Sequence, residues 1–124
     1  MKQITVVVKE PGKEAEVRSI EAKLEVFQGL VGGCIEGACV DEYMREHDII
    51  TYLNDEGKLI GLAPNILAFD CQDVIVGTCV FAKGDEDGGD ISLEQDEIEH
   101  VLEYCKRNGV GQGITIIDLL KLLG

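Results

Sequence analysis

Two adjacent glycines, Gly32 and Gly33, end one predicted helix and pass at once into a predicted strand. A helix commonly stops where a single residue turns left-handed, a conformation glycine adopts without steric cost. The second glycine, with no side chain, also lets another backbone or a ligand come close. The stretch Leu30-Val31-Gly32-Gly33-Cys34-Ile35-Glu36 therefore requires helix and strand in one short piece of chain.

The rest of the chain extends that pattern. Gln3 to Lys9 is rich in β-branched residues and reads as a strand, Glu10-Pro11-Gly12-Lys13 as a turn, and Glu16 to Ile20 as the returning strand. Leu24, Phe27, Leu30 and Val31 recur at helical spacing before the two glycines. Strand-like runs follow around Ile35 to Val40 and Ile49 to Leu53, with the polar segment from Asp41 to Asp48 expected as a loop. Asn54-Asp55-Glu56-Gly57 is a hairpin turn leading to a short strand, Leu59 to Leu62, and Ile66 to Phe69 reads as a helical turn. Asp73 to Ala82 is the strongest strand signal and is expected at the sheet centre.

A second helix has clear punctuation. Ser92 with Gln95 fits a capping box, and Ile98, Val101, Leu102 and Cys105 form its buried stripe. Lys106 and Arg107 suit its last turn and Asn108-Gly109 its stop. The expected class is α+β, a mostly antiparallel sheet with two packed helices and a short extra C-terminal helix. Residues 1–109 form the domain and 110–124 a linker and apolar helix, with Ile114 to Leu123 docking on the domain or on a second copy.

At 124 residues the chain is sized for one domain, and a mean hydropathy of +0.08 fits a soluble protein. No apolar run approaches the ~20 residues that span a bilayer, and Met1-Lys2-Gln3-Ile4 carries no export signal. The five cysteines lack a CxxC pair and read as small buried hydrophobes in a reducing cytoplasm. With 24 acidic against 11 basic residues, the net charge of −13 argues against direct nucleic-acid or membrane binding. It favours a basic partner, or a surface that imitates nucleic acid.

Catalytic signals are weak. His47 and His100 read as solvated, and the chain has no GxSxG or HExxH pattern. The glycine cluster ends a helix, whereas a phosphate loop opens one. Asp85 to Asp90 departs from a calcium loop at its sixth place, where Asp90 stands instead of glycine. Neither a metal nor a cofactor is expected. The acidic run holding Asp85, Glu86, Asp87, Asp90, Glu94 and Glu97 is a candidate face for a basic partner protein.

Three blocks, Leu30 to Glu36, Asp55 to Asn65 and Asp73 to Thr78, together resemble domain of unknown function family 3846, small proteins of phages and mobile elements in Gram-positive bacteria. Cys34 stands where that family often has an aromatic residue, and the helix after Gly113 looks like an addition. No activity attaches to the family as such. The resemblance implies a setting, a bacterial host cytoplasm, in which proteins without catalytic motifs often counter host defence. It also makes Gly32, Gly33, Glu36, Gly61, Asn65, Gly77 and Thr78 candidates for one shared ligand site. The expected function is thus a non-enzymatic binding protein that sequesters a nucleotide-derived small ligand. The alternative is an acidic interaction module, a nucleic-acid mimic, that binds a basic host protein.

Overall fold

The computed structural model describes residues 2–69 and 72–110. Strand β1 (Gln3–Lys9) pairs with β2 (Glu16–Glu21), helix α1 (Leu24–Val31) follows, and β3 (Ile35–Ala38) pairs with β4 (Ile49–Asn54) across the short helix α2 (Glu42–Glu46). A hairpin, β5 (Pro64–Ala68) with β6 (Asp73–Val76), forms a separate two-stranded sheet. Strand β7 (Cys79–Gly84) returns to the main sheet, β8 (Asp90–Ile91) adds to its end, and helix α3 (Gln95–Asn108) closes the described chain. The main sheet runs β2-β1-β7-β4-β3 and every pairing is antiparallel, so the protein is α+β.

Alternation along the strands divides the core into two faces. Ile4, Val6, Val8, Val80 and Ala82 face α1, which buries Phe27 and Val31 against them and leaves Leu24 exposed. Val7, Ile49, Cys79 and Phe81 face the other way, toward α2, α3 and the β5–β6 hairpin. α3 seats Val101, Tyr104 and Cys105 there, and the Tyr104 hydroxyl donates to the Leu67 carbonyl at 2.7 Å. The hairpin is apolar on both sides. Ile66, Ala68 and Ile75 meet the sheet, while Leu67, Val74 and Val76 gather outside with Leu62 and Val110.

Several sequence expectations need correcting. Ile66 to Ala68 are strand, not a helical turn, because burial on both faces hides the period of two. Asp73 to Ala82 is two strands in two sheets, broken at Gly77, whose φ of 76° no extended run can hold. Leu59 to Leu62 is a turn held by the Ile60 amide on the Glu56 carbonyl, and Leu59 is 87% exposed. The Asp41–Asp48 segment is not all loop: the Asp41 carboxylate caps α2 by accepting the Met44 amide at 2.7 Å. The capping box of α3 is Glu94 with Glu97, since the Ser92 hydroxyl is taken by the Thr5 amide. α3 does stop at Gly109, which bridges to Ile66, and the Val110 amide donates to the Asn65 carbonyl. The expected helix from Ile114 to Leu123 and its docking lie outside the described residues.

Candidate functional site

The Gly32–Gly33 junction works as a support for a side chain. Gly32, at φ 81°, ends α1 by donating its amide to the Gln28 carbonyl. A Cβ on Gly33 would lie 2.8 Å from Asn54 Nδ2. Buried Asn54 reaches from there to the Val31 carbonyl, and its Oδ1 accepts the Glu56 amide, which shapes the turn after β4. That turn forms one end of a groove.

The groove, about 170 Å³, runs between the β3–β4 edge of the main sheet and β6 of the hairpin. Ala38, Leu53, Val74, Ile75 and Val76 give it an apolar lining. Glu36, Asp55 and Asp73 supply carboxylates, and Leu59 and Phe69 are exposed apolar side chains at its edge. Phe69 holds φ 55°, a left-handed conformation unusual for a bulky residue. Among the described residues the lining holds one cation, Lys58, which is paired with Asp73 at 2.6 Å. The hydrogen bond from Lys58, more than the Val74 amide, holds the Asp73 carboxyl below the ordinary carboxylate value.

The seven sequence candidates do not converge. Glu36 alone lines the groove. Gly32 and Gly33 form the helix end, Gly61 lies on the exposed turn, and Thr78 is a half-buried link between β6 and β7. Asn65 is wholly internal: its Nδ2 donates to the Lys9 and Gly77 carbonyls at 2.7 and 2.8 Å, and its Oδ1 accepts Lys9 Nζ at 3.0 Å. Its hydrogen-bonding atoms are committed to the fold, and Gly77 is the partner that Asn65 grips.

The acidic run is also divided. Asp85 accepts the Asp87 and Gly89 amides, and Asp90 accepts the Tyr52 hydroxyl at 2.8 Å. Glu97 has no exposed side chain and holds Lys83 at 2.9 Å, His47 Nδ1 at 3.1 Å and the Glu94 amide at 2.7 Å. Glu86, Asp87 and Glu94 remain on the surface. The histidines are not simply solvated. Tyr43 stacks between His47 and His100, with ring centroids 4.0 and 3.9 Å away, and His100 Nε2 meets the Asp41 carboxylate at 2.7 Å. The four described cysteines are free. Cys79 and Cys105 are buried as expected, whereas Cys34 is exposed and Cys39 half-exposed. Among the described residues, no three His, Cys, Asp or Glu side chains are grouped to hold a metal.

Sequence reasoning missed most of the groove residues. Asp55, Lys58, Leu59, Phe69 and Asp73 come from separate turns and strands, and by local pattern Leu59 reads as a strand residue and Phe69 as part of a helical turn. The placing of Leu59 and Ile60 directly after a turn rich in acids was the available signal.

A small acidic α+β domain with a shallow, carboxylate-rimmed groove is the class these features define. The chain belongs to the family described as domain of unknown function (DUF3846), whose model matches residues 2–106. No curated protein and no solved structure matches the chain. No helix among the described residues is long and apolar enough to cross a membrane.

Proposed function

We propose that this protein is a non-enzymatic interaction module whose groove takes a basic, partly apolar segment of a protein partner. One observation carries the reading: an apolar floor bordered by Glu36, Asp55 and Asp73, where the one cation among the described lining residues, Lys58, is already paired. Leu59 and Phe69 offer apolar surface to the same occupant, and the net charge of −13 favours its approach. The basic-partner reading from the sequence thus moves from the Asp85–Glu97 run to the groove. Sequestration of a nucleotide-derived ligand draws less support. Pockets for such ligands usually exceed about 300 Å³, and phosphates facing three carboxylates would need more cations than Lys58, the one the described lining provides.

A fluorescent peptide of alternating Lys and Leu is a direct probe. Anisotropy should report binding that weakens steeply between low and physiological salt and is lost in Glu36→Lys with Asp55→Lys. Binding that ignores both changes, or a melting shift with nucleotides and none with the peptide, would overturn the proposal.

A further inference from the structure

On the Val7 face of the sheet, at the end of β1, Lys9 is 1% exposed, and no described carboxylate reaches ion-pair distance of its amine. A buried ammonium with no counter-charge among the described residues is costly, which shifts Lys9 toward its neutral form. A neutral amine has two N–H bonds, and the structure offers two acceptors: the Glu10 carbonyl at 2.9 Å and Asn65 Oδ1 at 3.0 Å. The nitrogen lone pair is left over. Lys9 also lines a cavity of about 270 Å³ together with Glu14, Ala15, Leu102, Cys105 and Lys106. Burial holds the Lys9 pKa below the ordinary 10.5, with Cys105 and Cys79 pulling weakly the other way. Burial likewise pushes the Cys105 thiol up to about 12, so the sulfur in this cavity stays protonated and is a poor competitor.

We propose that Lys9 is a covalent capture site for a small carbonyl compound bearing a carboxylate, such as a 2-oxo acid, with Lys106 receiving the carboxylate. The Nζ lone pair forms a bond to the carbonyl carbon while the carbonyl oxygen takes up a proton. The carbinolamine then loses that oxygen as water, and the C–O bond is replaced by C=N. Both amine hydrogens leave the nitrogen when the imine is neutral; the protonated imine keeps one, which can still donate to Asn65 Oδ1. Glu14, exposed in the same lining and beyond ion-pair distance of the amine, is the carboxyl that would relay the proton through a water. No oxidant or reductant is consumed. This site is separate from the groove and does not depend on it.

The test is to incubate the full chain with glyoxylate and cyanoborohydride at neutral pH and to map adducts by mass spectrometry. Lys9 should be modified ahead of exposed Lys58 and Lys106, and that preference should vanish when the chain is unfolded first. Lys106→Gln should slow the glyoxylate adduct at Lys9 several-fold and leave the adduct with uncharged acetaldehyde unchanged. Adducts that reach the exposed lysines before Lys9, or a Lys9 rate equal in folded and unfolded chain, would overturn the site. A glyoxylate rate indifferent to Lys106→Gln would overturn the carboxylate-bearing class.

Discussion

At Asn65 a single carboxamide joins the end of β1, the β6–β7 break and the buried Lys9 amine. Removing it strands two buried carbonyls and an amine, and each unsatisfied group costs about 1–3 kcal/mol. Asn65→Ala is therefore expected to lose about 3 kcal/mol or more in urea unfolding; a loss under about 1 kcal/mol would contradict the bonding described. Gly77, the recipient of one of those bonds, is constrained twice. Its φ of 76° costs a side chain roughly 1–2 kcal/mol. A Cβ there would also sit 2.6 Å from Leu62 Cδ1. Gly77→Ala should be destabilising by more than the backbone term alone, and Leu62→Ala should recover part of the excess. A double-mutant cycle that finds the two changes additive would show that Leu62 is not the obstacle.

Between elements, Glu97 anchors the start of α3 to β7 and α2. Burial would raise its pKa, but the Glu94 amide, the Lys83 ammonium and the His47 ring outweigh that and hold it below the ordinary 4.5. In return, the hydrogen bond to Glu97 holds Lys83 above its ordinary 10.5. A depressed carboxyl contributes stability above its unfolded pKa and loses it as pH falls through the lower folded value. A raised lysine contributes below its unfolded pKa and loses that as pH climbs through the higher folded value. The contact should therefore stabilise throughout the interval from 4.5 to 10.5. Melting curves of wild type and Glu97→Gln should differ most within that interval and converge in acid. A gap that persists unchanged below it would assign the loss to packing. The α2 N-cap offers a second check: Asp41→Ala removes both the cap and the His100 contact, and should cost at least about 1 kcal/mol.

These elements also show what was legible in the sequence. α1, α3 and the β1–β2 hairpin follow from apolar period and turn chemistry, because each buries one stripe or face. β5 and β6 were harder, since both faces are covered and alternation disappears. The Gly-Gly junction was legible as a close approach, but the group that comes close is the Asn54 side chain. The sequence makes Asn65 a ligand-site candidate and Glu97 part of an acidic partner face, and only long-range contacts reveal both as internal. No local rule predicts a partner 56 residues away, as Lys9 is from Asn65.

Across the whole molecule, the described carboxylates divide among internal contacts, the open surface and the groove. Some, such as Glu97 and Asp90, are spent on internal contacts, while Glu36, Asp55 and Asp73 border the groove. The groove is where negative charge coincides with exposed apolar surface, at Leu59 and Phe69. An occupant that is both basic and apolar suits that combination, and an anionic ligand does not. The most direct measurement is an amide chemical-shift titration of the isotope-labelled full chain with the Lys/Leu peptide. Shifts concentrated on Glu36, Ala38, Asp55, Lys58, Phe69 and Val74, and abolished by salt, are the predicted result. Shifts confined to the Asp85–Glu94 stretch, or none at any residue, would contradict the groove as the binding site.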